Sequence, residues 1–128
     1  MDDSNTSHFR PKRPSCFMRQ LERGYFVGGR LWLEKEGELY MGMGRAILLE
    51  RIDQYGSIAA AARSMNLGYR NAWLWIEALN RLAPSPLVEK SIGGVGGGNA
   101  YLTEEGKKAV KQYRKLKDKF EEFLEQLE

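Results

Sequence analysis

The segment from Gly56 to Pro84 constrains the fold more than any other part of the chain. Just before it, Ile47, Leu48, Ile52 and Tyr55 recur at three- and four-residue spacing. That predicts a helix beginning at Gly44 with a single apolar stripe. Gly56 ends this helix and Ser57 is a natural N-cap for the next. The stretch Ile58–Met65 is short and alanine-rich. Asn66 breaks it, because Asn tolerates the left-handed backbone of a sharp turn. After Leu67-Gly68 a longer helix is expected over Tyr69–Leu82, with Ala72, Trp75, Ile76, Leu79 and Leu82 on one face. Two helices packed this tightly need a small residue at their contact, a turn residue that accepts positive φ, and apolar residues around both. Ala62 is that small residue, Asn66 stands at the turn, and Ala61, Met65, Leu67, Ala72 and Trp75 fill the apolar offsets. The pattern is a helix-turn-helix.

The next segment of the chain extends the motif. Pro84 and Pro86 stop the second helix. Leu87-Val88-Glu89-Lys90 reads as a strand, Gly93–Asn99 as a glycine-rich loop, and Ala100-Tyr101-Leu102 as the returning strand. A strand, loop and strand placed there form a wing. Thr103 then caps a last helix, with Glu104 and Glu105 in the first turn where the helix dipole favours acids. Upstream, Arg30–Met41 reads as two short strands turning at Lys35-Glu36-Gly37. The expected fold class is mainly α with small β: a winged helix-turn-helix plus a long C-terminal helix. Residues 1–20 read as a flexible leader, 21–106 as the winged domain and 107–128 as the C-terminal helix.

Composition excludes several classes of function. At 128 residues, with 42% hydrophobic and 29% charged, the chain suits one globular domain. It shows no apolar run long enough to span a bilayer and no secretory signal, so a cytoplasmic location is expected. Cys16 and His8 are the only residues of their kind. They cannot build a metal site or a nucleophilic triad. No cofactor, no metal and no enzymatic activity are expected. The glycine loop is not a phosphate-cradling P-loop, because Asn99-Ala100-Tyr101 comes after it instead of Lys-Ser or Lys-Thr and a helix.

The charge pattern points to nucleic acid. The net charge is only +3, yet residues 107–119 carry seven Lys/Arg against one acid. Basic stretches alternate with acidic ones, as expected where only some surfaces meet phosphate. In a helix-turn-helix the N-terminal end of the second helix enters the major groove. Tyr69, Arg70 and Asn71 occupy that end, with Leu74 one turn on. Arg70 can bond guanine in bidentate fashion and Asn71 can do the same with adenine. Tyr69 either donates to phosphate, stacks, or packs on the helix end. Trp73 is expected in the core. Lys90, Ser91 and Asn99 flank the wing, and Gly93, Gly94, Gly96, Gly97 and Gly98 let its tip approach a backbone closely. Ser57 and Arg63 complete the candidate DNA-binding set.

These elements resemble a known family. The matching residues are Gly44-Arg45, Gly56-Ser57-Ile58, Ala61-Ala62, Tyr69-Arg70, Ala72-Trp73, Pro86-Leu87-Val88-Glu89, the wing glycines and Leu102-Thr103-Glu104-Glu105-Gly106. Together they look like the N-terminal domain of molybdate-responsive ModE-type transcriptional regulators, over about residues 30–115. The first half of the motif also looks like LysR-type regulators, which do not usually carry this wing. The resemblance implies a dimeric winged helix-turn-helix, with Tyr69 and Arg70 at recognition-helix positions and Gly93–Gly98 as the wing. Gly68 departs from the Ser cap usual in the family. Members also continue into a molybdate-binding domain, whereas this sequence stops at Glu128, which puts a molybdate response in doubt.

Ala109, Tyr113, Leu116, Phe120, Phe123 and Leu127 alternate four- and three-residue spacings, a heptad seam. Tyr113, Leu116, Phe120, Phe123 and Leu127 are therefore expected to pair with a second chain; the other reading folds the seam back on its own domain. Two such domains suit a palindromic site. The expected function is a homodimeric, sequence-specific DNA-binding regulator. The alternative is a protein-interaction module on the same scaffold.

Overall fold

The computed structural model describes residues 16–91 and 99–127. In chain order these are strands β1 (Cys16–Gln20), β2 (Phe26–Arg30), β3 (Leu33–Lys35) and β4 (Glu38–Met41), helices α1 (Met43–Tyr55), α2 (Ile58–Ser64) and α3 (Tyr69–Leu82), strands β5 (Val88–Lys90) and β6 (Ala100–Leu102), and helix α4 (Glu104–Glu125). The strands form three separate antiparallel pairs, β1–β2, β3–β4 and β5–β6.

The helices end where local chemistry ends them. Gly56 adopts φ 71° and its N–H donates to the Ile52 carbonyl, closing α1. Ser57 Oγ accepts from the Ala60 N–H at 3.1 Å and starts α2. Asn66 takes φ 54° between α2 and α3. Thr103 Oγ1 accepts from the Gly106 N–H and caps α4. The β3–β4 turn is tighter than the sequence suggested: Glu36 and Gly37 both have positive φ, the signature of a two-residue hairpin.

The core gathers around α1. Met41, Leu48, Leu49, Ile52, Leu79, Leu87 and Tyr113 are its largest fully buried side chains. Tyr55, expected on the buried stripe, is 47% exposed, because it is the last residue of α1 and projects past the core. Asn80 fixes the passage from α3 to β5. Its Oδ1 accepts from the Leu87 and Val88 N–H groups at 2.8 and 3.1 Å, and its Nδ2 donates to the Val88 carbonyl at 3.0 Å. α4 then meets β5 so closely that a Cβ on Gly106 would lie 2.2 Å from the Leu87 carbonyl oxygen.

The structure also corrects the expectations for both ends of the chain. Cys16–Gln20, assigned to a flexible leader, is a strand paired with β2 in the register Cys16↔Arg30 to Gln20↔Phe26. The C-terminal seam is also not a single face. Tyr113 is fully buried and its hydroxyl donates to the Leu31 carbonyl at 2.8 Å. Phe120 packs against Gly29 of β2, and Arg19 of β1 donates to the Leu124 carbonyl at 3.4 Å. The β1–β2 hairpin, which the periodicity did not reveal, thus takes up part of the seam within the chain. Leu116 and Phe123 remain outward, at 38% and 60% exposed, and Leu127 is half-buried.

Candidate nucleic-acid interface

The turn between α2 and α3 is held by backbone groups. Leu67 N–H donates to the Ala62 carbonyl at 2.9 Å and Asn66 N–H to the Arg63 carbonyl at 3.1 Å. Ala61 and Ala62 are buried at the contact, and Ala72 of α3 is fully buried as well. Small side chains at these points let the two helices approach closely. α3 begins after Gly68, which offers no side-chain cap. The N–H groups of its first turn therefore have no side-chain acceptor.

Tyr69, Arg70 and Asn71 all stand exposed on that first turn. At about 100° per residue, Arg70 falls opposite the buried stripe of Ala72, Ile76 and Leu79. Leu74 and Glu77 share its face, while Asn71 sits on the flank. Among the described residues, Arg63, Arg70 and Lys90 are exposed and enter no ion pair or side-chain hydrogen bond. Several other basic side chains are committed. Arg51 bonds Ser64, Arg81 makes a bidentate pair with Glu38, and Arg114 makes one with Glu50.

The β5–β6 pair brings a second group together. Ser57 bridges to Asn99, the Ala100 N–H donates to the Gly56 carbonyl at 3.0 Å, and the Ser91 N–H donates to the Asn99 carbonyl at 2.9 Å. Ser57, Ser91 and Asn99 therefore meet where α2 begins. The Ser57 oxygen is engaged as a cap but its O–H can still donate. Lys90 lines a shallow cavity of about 190 Å³ together with Ile58, Trp73, Glu77 and Asn80, so β5 and α3 share one surface. Tyr101 Oη donates to Glu89 across the hairpin at 2.8 Å. That bond, with the nearby carboxylate charge, raises the Tyr101 phenol above its ordinary range. Gly93, Gly94, Gly96, Gly97 and Gly98 lie outside the described residues.

Trp73 is not a core residue. It is 37% exposed, because Ala72, Ile76 and Leu79 hold the core-facing side of α3 and Trp73 lies at its margin, beside the cavity it lines with Ile76. The periodicity already contained this, since Trp73 falls off the stripe on which Trp75 lies. Tyr69 is 53% exposed and Leu74 is 41% exposed, so three large apolar side chains stand beside Arg70. Among the described residues, no three His, Cys, Asp or Glu side chains approach closely enough to hold a metal, and no helix is long and apolar enough to cross a membrane.

The chain has relatives among curated proteins, although no family model matches it. It is 42% identical over 83 residues to the molybdenum transport protein ModE of Azotobacter vinelandii, which covers 65% of this chain and 31% of that protein. It is 44% identical over 80 residues to the molybdenum-pterin-binding protein MopA of Rhodobacter capsulatus, or 62% of this chain and 30% of that protein. It is 36% identical over 83 residues to the DNA-binding transcriptional dual regulator ModE of Escherichia coli K12, at 65% and 32% coverage. Its homologues are ModE and Mop proteins. The chain spans about a third of the length of these relatives. They are regulators and molybdenum-transport or molybdenum-pterin-binding proteins by name. The doubt about molybdate rested on where this sequence stops. The relatives' names give that doubt no support.

Proposed function

We propose that this chain is the DNA-binding part of a transcriptional regulator. It is a winged helix-turn-helix in which α3 enters the major groove and the β5–β6 hairpin is the wing. The observation that carries this reading is Arg70: exposed, without an ion pair, and centred on the outward face of α3 one turn from a tightly held inter-helix contact. Arg70 reads guanine, Asn71 reads a flanking base, and Ser57, Arg63, Lys90, Ser91 and Asn99 hold phosphates on either side. Several relatives named as transcriptional regulators, one of them as DNA-binding, support it.

The protein acts as a homodimer on a two-fold symmetric site. Leu116 and Phe123 fall within about 20° of one another around α4, and Leu127 comes just past its C-cap. They form the pairing stripe left once Tyr113 and Phe120 have turned inward. Selection of bound duplexes from a random pool at about 0.1 M salt, where nonspecific phosphate binding is held down, tests both statements. Enrichment of a palindrome supports them. A folded protein that enriches no sequence refutes sequence-specific binding. One observation favours a second reading: Tyr69, Trp73 and Leu74 give the same face enough exposed apolar surface for a protein partner. That reading gains if the selection is empty.

A further inference from the structure

A larger cavity, of about 390 Å³, opens between the β3–β4 hairpin, the first turn of α1 and α3. Arg30, Trp32, Leu39, Met43, Arg45 and Trp75 are among the residues that line it. The proposed DNA interface uses none of them. Trp32 is 49% exposed and Leu39 is 44% exposed. Their apolar surface borders an open recess whose size is that of a small-ligand site.

Its charge is one-sided. The Arg30 guanidinium lies 5.9 Å from the Trp32 ring centre, and the Arg45 guanidinium 6.0 Å from that of Trp75. No carboxylate is among the lining residues. Two acids stand outside the lining: Glu34 accepts from Trp32 Nε1 at 3.0 Å, and Glu38 is held by two bonds from Arg81 while it also attracts Arg45. Arg45 is fixed in place because its Nη1 donates to the Leu39 and Tyr40 carbonyls at 2.9 and 3.2 Å. Its Nε is buried without a partner. α1 starts at the same wall, with Gly42 as an N-cap that offers no side chain and no acid in the first turn. Its free N–H groups add to the positive potential.

We propose that this cleft binds a small planar aromatic anion, an aryl carboxylate or aryl phosphate. The ring lies against the indole walls, and the charge is met by Arg30, Arg45 and the first turn of α1. Trp75 belongs to α3, five residues beyond Arg70, so an occupant touches the helix that reads DNA. That coupling rests on the DNA-binding reading; the binding site itself does not.

The test uses 1-naphthoate, with uncharged 1-naphthalenemethanol as its match, and no DNA. The protein has three tryptophans, and their indole N–H signals report separately by NMR. Naphthoate should shift the Trp32 and Trp75 signals, leave Trp73 unmoved, and half-saturate at roughly 1 mM or below. Arg30→Gln, an exposed change that leaves the core intact, should weaken it about tenfold. Trp32→Leu should weaken both compounds. Equal affinity for the neutral compound, shifts shared by all three indoles, or no shift at all overturns the proposal. So does a concentration-dependent change of the Trp32 and Trp75 signals without ligand, which would assign the cleft to a second copy of the chain.

Discussion

Arg70 and Lys90 are both exposed cations without ion pairs among the described residues, yet their positions assign them different work. Arg70 projects from the first turn of α3, and Lys90 from the edge of a hairpin beside it. Arg70→Ala should cost about 1–3 kcal/mol on a selected site and relax preference at one base position. Lys90→Ala should weaken all duplexes alike and flatten the salt dependence of binding by about one unit of slope. Binding isotherms on matched and mismatched duplexes across a salt series separate the two; a sequence-selective loss for Lys90 would move it to a base contact. Tyr113 carries a prediction of another kind. Burial raises its phenol above the ordinary value, so the unfolded chain gives up this proton first as pH rises. The stability tied to Tyr113 is complete below about pH 10 and is lost as pH climbs through the raised folded value. Tyr113→Phe should lose about 1–2 kcal/mol at neutral pH, because the Leu31 carbonyl loses its donor. It should also show a shallower alkaline fall in denaturant midpoint than the wild type.

The elements are joined by a few side chains that the secondary structure alone does not specify. Asn80 is the clearest. Three hydrogen bonds from one half-buried carboxamide hold the first residues of β5 against α3. Asn80→Ala should destabilise the fold by about 1–3 kcal/mol and loosen β5 before α1 melts. Hydrogen exchange at Val88–Lys90 should rise while exchange at Leu48–Ile52 stays slow. Equal acceleration in both would show that β5 is no separate unit. The β3–β4 hairpin is tied to the same C-terminal end of α3 in a similar way. Lys35 Nζ donates to the Leu82 carbonyl at 2.5 Å, and Arg81 grips Glu38 with two bonds. The hydrogen bonds from Arg81 hold the Glu38 carboxyl below its usual range. The pair is exposed, so its weight in stability is small. Its effect is to position the hairpin.

At the scale of the whole molecule, α4 presents two different faces. One face closes the core through Val110, Tyr113 and Leu124, all buried. The other leaves Leu116 and Phe123 outward. A pairing stripe this narrow buries little area, so a single charge within it should be decisive. Phe123→Glu should convert the dimer to a monomer at micromolar concentration, with an unchanged circular dichroism spectrum and weaker binding to a palindrome than the wild type shows. Sedimentation velocity reads the first result. A wild type that already sediments as a monomer removes the dimer from the proposal.

The sequence by itself determined the parts whose physics is local. Ser57, Gly56, Asn66 and Thr103 act through their own backbone or a neighbour's a few residues away. Their spacing therefore placed α1, α2, α3 and α4 and the turn between α2 and α3. Alternation around Gly37 and Ser91–Asn99 likewise placed two hairpins. The tertiary structure decided everything that depends on which surface meets which. Phe120 and Phe123 belong to the same heptad pattern, but the β1–β2 hairpin lies against the first and leaves the second outward. Trp73 and Trp75 are two residues apart on one helix; the helical period sets them on different faces, and the packing of α1 against α3 decides that Trp75 lies against Gly44. Caps and turns are written within a few residues, whereas burial is a contest among distant elements for the same apolar face.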